Sequence, residues 1–181
     1  YYTRDGRKVL QSELSTNDRK FFGSAIPKSN LGLNFSVSYK QFDLGITTYA
    51  AFGAKIFNAK KAQRLGDENI ELSVAEDFWT PENPNATNPA PINEIPYAST
   101  YYLESGDFFR VNNINLTYNL PSITKFITGG AVYINLINPF ISQKFSGFSP
   151  EISGSPTGDM GVESDAFPTL RSIACGVKLN F

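Results

Sequence analysis

The chain has 181 residues, of which 41% are hydrophobic, 14% aromatic and only 18% charged, with a formal net charge of -1. It contains no His and one Cys, Cys175, which excludes His-ligated metal sites, a Ser-His-Asp triad and an internal disulfide framework. The near-neutral charge argues against a nucleic-acid partner, which would need a basic face.

The first residues of the given sequence do not resemble a signal peptide. Residues 1–5 are polar, with neither an initiator Met nor a signal peptide. No stretch approaches the roughly 20 apolar residues of a transmembrane helix. We therefore expect the chain to begin within a longer polypeptide.

Period-two alternation is the dominant pattern, and it predicts β-strands. Each run has one apolar face and one face of Asn, Ser, Thr or Gly, and Lys40-Gln41 between the first two runs predicts a two-residue hairpin. In chain order the predicted strands lie near 31–39, 42–52, 107–119, 130–137 and 170–181.

These strands suit a membrane better than a soluble sheet that has one face on a core. Their polar faces have few Lys or Glu, and their lengths approach the roughly 9–11 residues that span a bilayer when tilted. The sequence therefore predicts an all-β fold, an antiparallel transmembrane β-barrel segment with lipid outside and a wet lumen inside.

The connections alternate between short turns and long loops, as they do in membrane barrels. The long loops, 54–105 and 139–168, are expected to be extracellular. If the Lys40-Gln41 turn is periplasmic, the C-terminus is periplasmic too. Within the first loop, residues 70–79 predict a short helix capped from 67–69 and ended by Pro81, followed by ordered coil to 96.

The last strand ends in a pattern that resembles the β-signal by which barrel proteins reach the outer-membrane assembly machinery. Its members are Gly176, Leu179 and the terminal aromatic Phe181. The alternative is a strand that happens to end in Phe.

Longer stretches resemble the SusC/RagA-type TonB-dependent transporters of Bacteroidota, in the order of that family. The stretch DFFRVNNINLTYNLP resembles the family's aromatic-Arg run followed by N-I-x-L-x-Y-x-L-P, and FSGFSPE resembles Y-x-G-F-D-P-E. The other matching stretches are DRKFFGSAIP at 18–27, SYKQFDL at 38–44, FWTPENP at 78–84, VYINLINPF at 132–140 and FPTLR at 167–171.

The resemblance implies about five or six C-terminal strands of one larger barrel domain. Even the smallest membrane barrels use about eight strands, and an open edge in lipid leaves backbone groups unpaired. The chain is thus expected to pair at both edges with the remainder of the same barrel. The plug of that barrel is a further expected partner. Further implied partners are outer-membrane lipid, a SusD-like surface lipoprotein, and TonB through an N-terminal part that this sequence lacks.

The loops supply the candidate contact residues. Phe78, Trp79 and Phe148 are candidates for contact with substrate or with the lid lipoprotein, whereas Trp79 could instead anchor its loop on the barrel rim. The family usually has Arg where Phe78 stands and Asp where Ser149 stands, so no charged role is carried over to either position.

A Ca²⁺ site from Asp159, Glu163 and Asp165 is conceivable, but the spacing is not that of an EF-hand and no metal or cofactor is predicted.

The implied function is import of oligosaccharides or peptides across the bacterial outer membrane, to which this segment contributes wall and loops. We expect no enzyme, because the acidic residues show no pairing that acid-base catalysis would use. Two alternatives remain open at this point: a small passive outer-membrane barrel or adhesin, and a secreted soluble β-sandwich that binds glycans.

Overall fold

A computed structural model describes residues 3–7, 9, 11–64, 69–90, 98–122, 125–152, 160–164 and 166–181. Five long strands form one antiparallel sheet, the wall sheet, in the order β1-β2-β5-β6-β8. They are β1 (Ser29–Tyr39), β2 (Phe42–Phe52), β5 (Phe108–Leu120), β6 (Gly129–Gln143) and β8 (Ser172–Asn180).

A second sheet of three short strands, the rim sheet, lies at one end of the wall sheet in the order β4-β3-β7. Its first strand directly follows β2, its second directly precedes β5, and its third pairs in parallel with the first. They are β3 (Lys55–Asn58), β4 (Leu103–Ser105) and β7 (Val162–Glu163). Two short helices, α1 (Ala59–Arg64) and α2 (Leu72–Glu76), accompany this sheet.

The alternating pattern determines the two faces of the wall sheet. Because β1 pairs with β2 from Tyr39↔Phe42 to Ser29↔Phe52, the apolar residues of both strands share the outward face. The outward side chains stay solvent-exposed in this chain; Leu33 is 57% exposed and Val177 is 66% exposed. A β-sandwich would bury that face against a second layer.

The hairpin at Lys40-Gln41 has the two-residue length that the sequence predicts. Lys40 has a φ of 55°, in the left-handed region that tight hairpins require. The backbone N–H of Asn119 donates to the Gln41 carbonyl at 2.7 Å, which joins the turn to β5.

One strand is longer than its pattern indicates. We predicted a strand over 130–137 and a loop from 139, whereas β6 continues to Gln143. Asn138, with a φ of 50°, and Pro139 form a bulge in β6. Proline has no backbone N–H to donate to the ladder, and a bulge is a position where none is required. Pairing with β5 resumes at Val111↔Phe140. The start of the 139–168 segment is therefore strand and not loop.

The predicted 54–105 loop also contains regular structure, namely β3, α1, α2 and β4. The helix predicted over 70–79 is only Leu72–Glu76. Asp77 leaves the helical conformation, and its backbone carbonyl accepts from the Asn88 backbone N–H at 3.3 Å. Its N-cap is Glu71, with no side-chain cap; of the predicted cap residues, 67 and 68 lie outside the described residues.

Burial is concentrated where the wall sheet meets the rim sheet. Ala50 and Ala51 at the end of β2 are each 2% exposed, and Ile56 of β3 is 3% exposed. A small cluster of Ala62, Val74 and Tyr102 joins the two helices to this junction. Among the described residues, no helix has both the length and the apolar character needed to cross a bilayer.

Candidate functional site

The inward face of the wall sheet is a polar surface. Tyr49 donates from its hydroxyl to Asn30 Oδ1 at 3.0 Å, and Thr117 donates to Asn115 Oδ1 at 2.9 Å. Asp43, near the hairpin, accepts hydrogen bonds from Ser38 and Asn119 across three neighbouring strands. Such short amide and hydroxyl groups can hydrogen-bond to water and to polar solutes.

A bulge in β5 brings a cation onto this inward face. Thr47 pairs with Asn113 but Thr48 pairs with Val111, so Asn112 is an extra residue that reverses the alternation. Strict alternation would turn Arg110 outward with Ile114; the bulge turns it inward.

Arg110 uses its inward position to hold a loop. Its Nε donates to Asn112 Oδ1 at 2.7 Å, and its Nη1 forms an ion pair with the Glu151 carboxylate. The two side chains are 18% and 31% exposed, so the pair is only partly solvated. This contact attaches the end of the 145–151 loop to the inner side of the wall.

The rest of the 145–151 loop is also fixed by side-chain hydrogen bonds. Gln143 Nε2 donates to the carbonyls of Phe145 at 3.0 Å and Gly147 at 2.7 Å. The Glu104 carboxylate accepts from Ser146 N at 2.7 Å and from Ser146 Oγ at 2.8 Å. Phe145 is 3% exposed, whereas the Phe148 ring is 56% exposed at the loop's surface.

Helix α1 places two lysines over aromatic rings beside this loop. Lys60 Nζ lies 5.2 Å from the centroid of the Phe148 ring, and Lys61 Nζ lies 4.1 Å from that of Tyr101. Asn58 caps the helix, its Oδ1 accepting from Lys61 N at 2.8 Å. We call Lys60, Lys61, Tyr101 and Phe148 the lysine–aromatic ridge.

Tyr101 joins the ridge to a second loop. Its hydroxyl donates to Asn88 Oδ1 at 2.6 Å. Burial raises the pKa of Tyr101, and the negative charges of Glu71 and Glu104 raise it further, so the hydroxyl keeps its proton at neutral pH.

The second loop carries the other two candidate contact residues around Asp77. The Thr87 backbone N–H donates to Asp77 Oδ2 at 3.1 Å and lowers the pKa of Asp77, with Asn83 as a further donor. Trp79 N donates to the Asn88 carbonyl at 2.9 Å, and Phe78 forms a β-bridge with Asn88. This loop is therefore ordered, with Trp79 47% exposed.

The predicted contact residues thus lie at the two ends of one connected structure. Phe148 is at one end, under Lys60, and Phe78 and Trp79 are at the other, joined to Tyr101 through Asn88. Trp79 is 47% exposed in this chain, and its two interpretations, loop anchor and contact residue, both stay predictions. Lys60, Lys61 and Tyr101 were not predicted as site residues. The adjacent lysine pair is the feature of the sequence that could have indicated them.

The three residues of the predicted terminal signal have different surroundings. The Tyr133 ring lies over Gly176, where an added Cβ would come 2.3 Å from the Tyr133 hydroxyl oxygen. Leu179 is on the outward face at 42% exposure, and Phe181 is 87% exposed. Gly176 therefore has a local packing role in the wall, and this role does not depend on recognition by another protein.

The conceivable calcium ligands are only partly described. Asp159 and Asp165 lie outside the described residues. Glu163 is 2% exposed, and its Oε1 accepts from the Ala166 N–H at 3.0 Å. Within the part of the chain that the structure describes, no three acidic or sulfur ligands cluster.

Comparison with known proteins identifies proteins that are similar to this chain in sequence and in structure. No family model matches the chain. In sequence it is 25% identical over 93% of its length to TonB-dependent receptor P3 of Formosa agariphila. It is 24% identical over its whole length to TonB-dependent receptor SusC of Bacteroides thetaiotaomicron. The chain spans 18% and 17% of the lengths of these two relatives.

Solved structures show the same similarity in three dimensions. The chain superimposes on a chain of the RagAB peptide transporter with a TM-score of 0.81 and 25% identity. The match covers 98% of this chain and 20% of that one. A RagAB structure in an open-open state matches with a TM-score of 0.78. These matches confirm the predicted fold class, a segment of an antiparallel β-barrel.

Proposed function

We propose that the chain is a C-terminal portion of a protein of the SusC/RagA family and that it forms wall and extracellular loops of a transporter. Its similarity to TonB-dependent receptors and to the RagAB peptide transporter supports this proposal. The transporter imports oligosaccharides or peptides across the outer membrane, driven through TonB. The segment itself performs no chemistry and acts as a structural and recognition element.

The separation of the two wall faces is the observation that carries this proposal. Outward residues such as Leu33, Ile134 and Val177 are apolar and exposed, which suits contact with lipid tails. The inward face carries Asn, Thr and Ser side chains with hydrogen-bonding groups. A wall with these two faces separates lipid from a wet lumen through which polar cargo can pass.

The edge strands indicate where the rest of the protein joins. Among the described residues, β1 and β8 each have one neighbour in the wall sheet. Unpaired backbone groups cost several kcal/mol each in lipid, so both edges need further strands. We propose that the remainder of the barrel pairs there, encloses a plug, and reaches TonB through an N-terminal part.

The rim residues are the proposed contact region for cargo or a lid. Phe78, Trp79 and Phe148 are presented by loops fixed through Asp77, Glu104 and Arg110. Ordered aromatic side chains bind with little loss of conformational entropy. A SusD-like surface lipoprotein is the proposed lid.

We propose an orientation on the basis of the strand directions. The two-residue turn at Lys40-Gln41 suits the periplasmic side, and the rim sheet at the opposite end suits the extracellular side. β8 then ends in the periplasm. We propose that Gly176, Leu179 and Phe181 act there as the signal for barrel assembly.

The transport proposal is tested by deleting the gene for the full protein and measuring uptake of fluorescently labelled oligosaccharides and oligopeptides. We expect uptake of one class to be lost and to return with the wild-type gene. Collapse of the proton gradient should abolish the same uptake. Uptake that survives collapse would indicate a passive barrel and would contradict the proposal.

The orientation is tested by cysteine labelling of intact cells with a membrane-impermeant maleimide, in a background whose native cysteines are replaced by Ser. Trp79→Cys should be labelled in intact cells. Lys40→Cys should be labelled only after the outer membrane is permeabilised. The reverse result would invert the proposed orientation.

A further inference from the structure

We propose that Lys60 and Lys61 form a subsite for a carboxylate group of the cargo, at the mouth of the transporter. This inference rests on the proposed transport function and adds the chemical class of the ligand. The carboxylate can come from an acidic sugar residue or from an acidic peptide, and the experiment below separates these two sources.

The two lysines are charged groups without an ion-pair partner among the residues that the structure describes. Both are half-buried on α1, and each ammonium group lies over an aromatic ring, at 5.2 Å for Lys60 and 4.1 Å for Lys61. A cation over a ring is attracted by its face and is held in place while its N–H groups remain available. Each positioned ammonium group can then bind an anionic group of a ligand.

Two of the nearby carboxylates have other donors. Glu104 accepts from Asn58 at 3.1 Å and from Ser146 at 2.8 Å. Glu151 is held by Arg110. Glu71 adds a negative charge on the Tyr101 side of the ridge, so Lys60, which lies on the Phe148 side, is the lysine more available to an external anion.

The surroundings of the lysines point to cargo as the source of that anion. The ridge includes Phe148, whose loop is attached through Glu151 to Arg110 on the inward face of the wall. The ridge therefore borders the passage that the polar wall face lines. The 56% exposed ring of Phe148 beside Lys60 can pack against the apolar face of a sugar or a peptide side chain while Lys60 binds its carboxylate.

The test uses the full-length transporter purified in detergent with its native lipoprotein, and measures binding by calorimetry. The probes are oligogalacturonate with its neutral methyl ester, and a glutamate-rich peptide with its glutamine counterpart. We expect at least one acidic probe to bind about tenfold more tightly than its neutral partner. We also expect added salt to reduce this preference.

The variants assign the preference to the two lysines. Lys60→Gln with Lys61→Gln should remove the preference by weakening the binding of the acidic probe, whereas Lys60→Arg with Lys61→Arg should retain it. Lys40→Gln is the matched control, because Lys40 also lies over a ring, that of Tyr39 at 5.3 Å, but at the other end of the sheet. This control should behave as the wild type.

The outcomes separate the sources and the two proposals. Binding of oligogalacturonate alone assigns the carboxylate to a sugar, and binding of the peptide alone assigns it to a peptide. No preference for either acidic probe, or a preference that survives in the glutamine variant, would overturn the carboxylate subsite. Neutral cargo would still be taken up in a TonB-dependent way in that case, so the transport proposal would stand.

Discussion

The wall sheet and the rim region are built by different kinds of interaction. The wall sheet is held by continuous backbone ladders, such as the pairing of β1 with β2 from residue 29 to residue 52. The rim sheet has strands of two to four residues, and side chains such as Glu104, Asn58 and Asp77 hold its loops. A repeated pattern therefore specifies the wall, whereas individual contacts specify the rim.

The largest expected effect comes from a charge on the outward face of the wall. Ile114→Arg should destabilise the barrel by about 2–4 kcal/mol, because Ile114 pairs with Ile46 near the middle of β2 and a lipid-facing Arg near the bilayer midplane costs that much. The measurement is the urea dependence of folding in vesicles. The matched control is Asn113→Arg, one residue away on the inward face, which should have little effect. Equal effects of the two changes would contradict the assignment of faces.

The next largest effect is expected where an aromatic ring covers a glycine of the wall. Gly176→Ala would force a Cβ against the Tyr133 ring and should cost about 1–3 kcal/mol, the usual cost of overpacking. Gly45→Ala is the control, since nothing lies within 4 Å of its added Cβ. The measurement is the amount of heat-modifiable, folded barrel in outer membranes.

A double variant separates packing from signalling at Gly176. If the glycine serves to clear the Tyr133 ring, Tyr133→Ala should restore folding of the Gly176→Ala variant. If the assembly machinery reads the glycine itself, folded protein should stay low in the double variant while refolding in vitro returns to normal. The second result would support the proposed signal over the packing role.

A smaller effect is expected from a single contact of the rim. Asn58→Ala removes the cap of α1 and the donor to Glu104 at 3.1 Å, and should cost about 1–2 kcal/mol. Because the wall ladders remain, the loss should appear as faster hydrogen exchange in the rim with unchanged barrel folding. Asn34→Ala, on the exposed inward face of β1, should leave both measurements unchanged.

The smallest effect is a pH dependence at the junction of wall and rim. The Gly53 backbone N–H donates to Asp107 at 2.6 Å and lowers the pKa of Asp107, with Lys144 as a further partner. A lowered pKa means that this carboxylate stabilises the folded state above its unfolded pKa of about 3.9 and loses that effect as pH falls through the folded value.

The prediction is that exchange of the Gly53 amide, corrected for its intrinsic pH dependence, accelerates below about pH 4. Asp107→Asn should have faster exchange at neutral pH and should lose this extra acceleration. If the Asp107→Asn variant keeps the acceleration of Gly53 exchange at low pH, another titrating group causes it.

The sequence by itself determined the wall, because period-two alternation repeats over each strand and every residue adds to the same choice of face. It also marked the hairpin at Lys40-Gln41 and the exposed aromatics Trp79 and Phe148. Only the tertiary structure showed how Arg110 reaches the inward face, since the extra residue Asn112 reverses the alternation without any change in composition. It alone brought Lys60 and Lys61 of α1 onto Phe148 and Tyr101, because contacts between distant loops depend on how the strands between them pair.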